Sequence, residues 1–146
     1  KRAIGRKYTI YGQLQGDVVL AEGQSVELLV REAMRQALLA NGYRLVARAD
    51  ELGHEGYQLD IIINNYWSWL TPALWSNTLH CEIATEVKFS PQQAPAEPQY
   101  HSENVKIRAS DTITVLGNNA WLELTQHCLR DYSRAAAAQL QAGSHP

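Results

Sequence analysis

The chain has 146 residues and a mass of 16.4 kDa, the size of one domain, with 45% hydrophobic and 19% charged residues. Its 13 Lys and Arg against 15 Asp and Glu give a net charge of −2, which excludes the concentrated basic surface of a nucleic-acid reader. No apolar run approaches the ~20 residues that span a bilayer. A removed signal peptide or a lipid anchor would lie upstream of Lys1.

The first part of the chain predicts one or two strands followed by a helix. Residues 8–20 carry β-branched and aromatic side chains interrupted by glycines, which indicates a bent strand or two short ones. Ser25 is a suitable N-cap, and apolar residues then recur at spacings of three and four, which predicts an amphipathic helix. Gly42 suits the left-handed position that ends a helix. Residues 43–49 predict a short strand, with a turn around His54 after it.

The most informative stretch is a pair of strand patterns joined by a loop rich in tryptophan. Apolar and polar residues alternate over residues 57–64, which predicts a strand with one buried face that continues towards Trp67 and Trp69. Pro72 ends this strand, and the alternation resumes over residues 78–89. The simplest interpretation is two long antiparallel strands with a connecting tip.

The last part of the chain predicts a loop, a strand and a long helix. Three of the five prolines fall in residues 90–98, which predicts an exposed loop. Residues 100–109 alternate as a strand, and residues 112–116 either extend it or lead into the helix. Asn118 or Asn119 caps that helix, which has a continuous apolar stripe.

This order of elements predicts an α+β fold in a single domain that covers residues 1–146. Strands that follow each other through short links pair antiparallel, and each helix has one apolar stripe to bury. We therefore expect an antiparallel sheet of about four to five strands with two helices packed on one face, a two-layer sandwich whose other face is solvated. Residues 1–7, which hold the only basic cluster, and residues 141–146 are expected to be frayed.

Several of these motifs occur in the same order in a known family. An Ile-Gly and Tyr-Gly opening lies at residues 4–12, and the start of the first helix at residues 26–33. The Gly-aromatic end of that helix lies at residues 39–43, and an apolar strand at residues 59–63. In these features, which cover most of the chain, it resembles the YajG-type family of bacterial envelope lipoproteins. The resemblance implies an exported protein on the periplasmic face of a Gram-negative-type envelope, anchored by a lipidated cysteine upstream of Lys1. It implies no catalytic residues.

The residue types that carry chemistry are few and badly placed for it. Cys81 and Cys128 fall on the apolar faces of a strand and a helix and could meet in the core, where two buried thiols are favoured over a disulfide. The histidine beside each cysteine points elsewhere, so neither pair forms a nucleophile and its base. A metal site from His80, Glu82 and His101 is conceivable, but solvated side chains on a sheet face are favoured. No catalytic residue, metal or cofactor is predicted.

The aromatic residues of the loop are the one group with a claim to function. Tyr66, Trp67, Trp69 and Trp75 are too large for a short loop to bury all of them. One interpretation is a local aromatic core that closes the end of the sheet. The other is an exposed recognition patch for a protein, a glycan or a lipid surface, because aromatic clusters dominate interface energetics.

Three functional hypotheses follow. The first is a non-enzymatic cell-envelope lipoprotein domain that acts as a binding or assembly module through the aromatic loop. Its expected partner is an envelope protein or a second copy of the chain, without nucleic acid, and it meets the membrane only through the upstream anchor. The second is a small periplasmic hydrolase of envelope glycans or peptides, with Asp60, His80 and Glu82 gathered in a cleft. The third is an accessory lipoprotein of an envelope transporter.

Overall fold

The computed structural model describes residues 3–8, 14–19, 25–45, 57–91, 101–113 and 118–143. They form, in chain order, β1 (Ala3–Tyr8), β2 (Leu14–Val19), α1 (Val26–Ala40), β3 (Tyr57–Pro72), β4 (Asn77–Pro91), β5 (His101–Ile113) and α2 (Asn118–Gly143). The predicted α+β class is confirmed. The predicted turn at His54, residues 92–98 of the predicted loop and residues 46–49 of the predicted short strand lie outside the described residues, and residues 43–45 are not strand.

The three long strands β3, β4 and β5 form a continuous antiparallel sheet. β4 lies in the middle and pairs with both neighbours along its length, beginning at Asn77 beside Pro72 and Ile113. β1 pairs antiparallel with β2 and meets β3 in parallel through Gly5 and Ser68. The strand order is β2-β1-β3-β4-β5. The expected antiparallel pairing is thus confirmed for the long strands and is not kept between β1 and β3.

The two chain ends are more regular than expected. β1 occupies most of residues 1–7 and pairs with β2, so its backbone N–H and C=O groups have partners that a frayed end would lack. α2 continues to Gly143, which makes the first half of residues 141–146 helical. The sequence of β1 does not alternate between apolar and polar residues, so its strand character depends on pairing that the local pattern does not reveal.

α1 begins and ends as the sequence predicts. The Ser25 hydroxyl accepts a hydrogen bond from the Leu28 N–H at 3.2 Å, and Gly42 has a φ of +81°, a conformation that other residues rarely adopt. The buried stripe of α1 consists of Val26, Val30, Ala33, Met34, Ala37 and Leu38. In the described ranges no helix has both the length and the hydropathy that a membrane span requires.

A disulfide joins α2 to the inner face of β4, within one continuous core. That core includes Leu79, Cys81, Ile83 and Val87 of β4 and Leu124, Cys128, Tyr132 and Ala136 of α2. Cys81 and Cys128 are bonded, with their Cα atoms 6.4 Å apart, so the preference for two buried thiols is wrong. Their separation of 47 residues implies a stabilisation of about 4 kcal/mol, mainly through the lost freedom of the unfolded chain.

A bulge in β3 changes which side chains face the core. Ile63 pairs with Thr85 whereas Asn65 pairs with Ala84, so Asn64 is an extra residue in this strand. Side chains alternate between the two faces of a sheet, and one extra residue therefore moves every later side chain to the opposite face.

The shift places Tyr66 and Ser68 in the core, where the Tyr66 side chain is 3% exposed. Trp67 and Trp69 lie on the outer face of the sheet, where both are half-buried. An unbroken alternation would have put the two tryptophans on the inner face with Ile61.

Two buried tyrosines differ in whether their hydroxyls are bonded. The Tyr132 hydroxyl and the Thr85 hydroxyl are 2.7 Å apart on α2 and β4. The Tyr66 hydroxyl is buried and has no hydrogen-bond partner among the described residues. Burial raises the pKa of the Tyr66 phenol well above its ordinary value of 10. It also raises the pKa of Tyr132, where the hydrogen bond with Thr85 offsets part of the increase.

We expect Tyr66→Phe and Tyr132→Phe to change stability in different directions. Tyr66→Phe removes an unbonded buried hydroxyl, so the free energy of unfolding should stay level or rise by up to about 1 kcal/mol. Tyr132→Phe leaves the Thr85 hydroxyl buried without its partner and should cost about 1–2 kcal/mol. Urea unfolding of both variants measures this, and each serves as the other's control because the same atom is removed. Equal losses of unfolding free energy in the two variants would contradict the claim that only the Tyr132 hydroxyl is hydrogen-bonded.

Candidate binding site at the hairpin tip

The four aromatic residues of the predicted loop do not form one cluster. Tyr66 lies in the core, and Trp67 and Trp69 lie on the outer face of β3. Only Trp75 lies in the loop between β3 and β4, and its side chain is 90% exposed. The interpretation as a local aromatic core therefore does not hold for Trp75, and the interpretation as an exposed patch applies to it alone.

The loop between β3 and β4, residues 73–76, forms an apolar tip. The pair Pro72 and Asn77 closes the hairpin below it. Leu74 is 94% exposed, and it and Trp75 are the most exposed large hydrophobic side chains in the described residues. Sequence reasoning missed Leu74, although its position beside Trp75 in a loop between two long strands was a usable signal.

The tip lies within a stretch that carries no formal charge except at His80, if protonated. Residues 61–81 contain no Asp, Glu, Lys or Arg. Asp60 and Glu82 bound this stretch, and Glu82 lies about 17 Å down β4 from its first residue, Asn77. Asp111 of β5 lies opposite Leu79, and its carboxylate is 2.9 Å from Nδ1 of His127 on α2. The hairpin end is thus apolar at its tip and polar without charge below it.

On the outer face, His80 of β4 is flanked by polar side chains from the two neighbouring strands, β3 and β5. Its Nε2 lies 3.0 Å from the Thr71 hydroxyl and its Nδ1 lies 2.9 Å from the Ser110 hydroxyl. The Trp69 ring stacks on the imidazole, with centroids 5.1 Å apart and planes 14° from parallel. In the described part of the chain no carboxylate hydrogen-bonds to His80, so the contact with Ser110 lacks the carboxylate that orients the base in a Ser–His–Asp triad.

Glu82 is the centre of a second polar cluster on this face. Its carboxylate accepts hydrogen bonds from Asn65 at 2.6 Å and Arg108 at 3.1 Å, and Lys106 lies 3.2 Å away. The side chain is only 13% exposed. Burial alone would raise the pKa of this carboxyl, but the bonds from Arg108, Lys106 and Asn65 together hold the pKa below its ordinary value of 4.5. A carboxylate held in its charged form in this way is suited to cross-strand pairing rather than to proton transfer.

The residues of the hypothetical metal site are not brought together. His80 and Glu82 lie on the outer face, whereas His101 faces the helices, 2.6 Å from Glu103 and beside Phe89. Among the described residues, no group of three or more potential ligands is placed to hold a metal ion.

The residues of the hypothetical hydrolase are also spread out. Asp60 pairs with Lys88, whereas His80 pairs with Trp69 nearer the tip. The strand rise puts these two positions about 27 Å apart. The structure therefore does not form the cleft that the second hypothesis requires from Asp60, His80 and Glu82.

A carboxylate–histidine–carboxylate bridge links β5 to α2, and the sequence did not reveal it. His127 Nδ1 lies 2.9 Å from Asp111, and its Nε2 lies 3.1 Å from Asp131 one helical turn later. The spacing of His127 and Asp131 on a helix is readable from sequence, but Asp111 reaches them only through the packing of α2 on β5. The Nδ1 contact joins α2 to β5, whereas the Nε2 contact lies within α2 and orients the ring.

The two helices leave an open groove of about 380 Å³ between them. Leu29, Ala33 and Leu129 supply its apolar lining. Polar side chains surround it, including Glu32, which is bonded to Arg35 and Gln36 on its own helix. This groove does not gather a set of convergent polar groups of the kind that fixes a small ligand.

A comparison with protein-family models and with curated protein sequences finds no match. The proposed function therefore rests on the geometry of the described residues.

The charged groups around Glu82 predict how the free energy of unfolding depends on pH. A carboxyl whose folded pKa is lowered stabilises the fold above its unfolded pKa, about 4.5, and loses that contribution as pH falls through the folded pKa. Glu82→Gln should therefore reduce the free energy of unfolding most at pH 7 and progressively less below pH ~4.5. Urea unfolding across this pH range measures the difference, with Glu86→Gln on the same face as control for the lost charge. If the loss of unfolding free energy in Glu82→Gln grows as pH falls, the lowered pKa of Glu82 is contradicted.

Proposed function

We propose that this chain is a non-enzymatic binding or assembly module of the bacterial cell envelope, which engages its partner through the tip of the β3–β4 hairpin. The observation that carries the proposal is the near-complete exposure of Leu74 and Trp75 at the end of the hairpin. Large apolar side chains that protrude side by side are typical of contact surfaces.

The support beneath the tip is rigid, which favours a role in recognition. β3 and β4 pair along their whole length, and β4 also pairs with β5. The disulfide at Cys81 ties β4 to α2 about 14 Å along the strand from Asn77. A binding loop on such a support loses little conformational freedom when it binds. The proposed scaffold is a two-layer sandwich of about four to five strands with both helices on one face.

The proposed compartment is the periplasmic face of the envelope, with a lipid anchor upstream of Lys1. The resemblance to YajG-type lipoproteins supports it. The Cys81–Cys128 disulfide is compatible with an oxidising compartment of this kind. The partners proposed from the sequence are an envelope protein and a second copy of the chain, and a transporter accessory role would use the same tip with a different partner.

The hydrolase is the less favoured alternative. Its support is limited to the contact of His80 with Ser110, since Asp60 lies far from both. Among the described residues no carboxylate bonds to the His80 imidazole, so the contact with Ser110 lacks the group that orients the base in a Ser–His–Asp triad.

Photo-crosslinking tests whether the tip is the contact site. We expect a photoreactive residue at position 75 to form adducts with another envelope component in intact cells. The matched control is position 39, because Leu39 is also exposed, at 43%. It lies at the C-terminal end of α1, where the capping residue Asn41 bonds to Ala137 near the C-terminal end of α2, away from the tip.

Adducts at position 75 and few at position 39 support the proposal. Equal labelling at the two positions, in protein that unfolds at the wild-type temperature, would remove the tip from the proposed function.

A further inference from the structure

We infer that the hairpin tip inserts into the interfacial region of a lipid bilayer. The inference rests on the proposed function and names the class of partner at the same site. In place of a protein partner it assigns a lipid surface to the tip, which adds a membrane contact separate from any upstream anchor.

The size of the tip argues against a protein partner. Leu74 and Trp75 are the only large apolar side chains in the loop, and together they offer at most about 450 Å² for burial. A stable protein interface buries about 800 Å² on each partner. The tip alone falls short of that area, and the neighbouring outer face is occupied by side chains bonded to each other around His80 and Glu82.

The chemistry of the tip fits a bilayer interface. Trp is enriched at the level of the lipid headgroups, where its ring is buried and its N–H stays hydrated. A lipid surface also requires no shape complementarity, so two adjacent apolar side chains suffice for a reversible contact. The absence of Asp, Glu, Lys and Arg in residues 61–81 removes the main penalty for approaching hydrocarbon.

The same end of the molecule carries a third exposed apolar side chain. Leu122 is 56% exposed near the start of α2. α2 follows β5, whose last residue Ile113 pairs with Asn77 at the base of the tip. This end therefore presents apolar groups from both the hairpin and the helix layer.

The backbone limits how deep the tip can go. Residues 73–76 lie outside the β3–β4 ladder, so their N–H and C=O groups depend on water. Unpaired backbone groups are not tolerated in the hydrocarbon core. The tip therefore reaches the boundary between headgroups and acyl chains and does not cross the bilayer.

Binding by an uncharged tip has a distinct signature. It needs no anionic lipid and is insensitive to salt, because the contact is hydrophobic. Binding through the basic cluster of residues 1–7 would behave in the opposite way, requiring anionic lipid and disappearing at high ionic strength.

The test measures co-sedimentation of the folded, disulfide-bonded chain with phosphatidylcholine vesicles. Leu74→Ser with Trp75→Ser should lower the partition coefficient at least about tenfold, while Leu39→Ser should change it less than about twofold. Wild-type binding should be the same at about 0.05 M and about 0.5 M NaCl. Both substituted tip residues are exposed, so unchanged thermal unfolding confirms that each variant is folded.

Three results would overturn the inference: no binding to neutral vesicles, equal binding by the double variant, or binding that needs anionic lipid and is lost in salt. If vesicle binding fails while position 75 still forms protein adducts, the lipid inference is wrong and the proposed function stands. If neither vesicle binding nor the formation of protein adducts depends on position 75, both the lipid inference and the proposed function are wrong.

Discussion

The bulge at Asn64 determines the orientation of every side chain between itself and the end of the hairpin. Without the extra residue, Trp67 and Trp69 would face the helices, and Tyr66 would face the outside of the sheet. Without it the two indoles would lie opposite Cys81 and Leu79, in place of Ser68 and Leu70. Protein interiors are close-packed, so this added volume would strain the core around Leu79 and Leu124. The inserted residue Asn64 therefore keeps both tryptophans of β3 out of the close-packed interior.

The rest of the hairpin depends on this orientation. With the indoles on the outer face, Trp69 stacks on His80, and β4 keeps its small and aliphatic side chains for the helix layer. Cys81 can then meet Cys128, which fixes α2 against the strand that carries the tip. β5 and the disulfide to α2 thus hold β4, and the most exposed apolar side chains of the hairpin, Leu74 and Trp75, lie in its last turn.

Much of the fold was readable from local patterns. The cap at Ser25, the glycine at Gly42 and the two alternating runs of the hairpin each follow from period and capping, and all of them are confirmed. These features are local, because a helix stripe or a strand face is set by residues a few positions apart.

The features that the sequence did not reveal depend on contacts between distant segments. Strand β1 acquires its structure from β2 and β3, and Asp111 acquires its role from the packing of α2. The bulge leaves no mark in the alternation of residues 57–64, so the four aromatics looked like one group although Tyr66, Trp67 and Trp75 occupy three different environments. The preference for buried thiols failed for the same reason, since pairing of cysteines is set by tertiary packing.

The orientation set by the bulge is tested most directly by NMR, through the nuclear Overhauser contacts of Ala84 and Trp69. The bulged pairing predicts cross-strand backbone contacts from Ala84 to Asn65, and contacts between the Trp69 indole and the His80 ring. Cross-strand contacts from Ala84 to Asn64, with the Trp69 indole close to side chains of α1 or α2, would contradict it. In that case the tryptophans would belong to the core, and the separation of the tip from the other aromatics would be wrong.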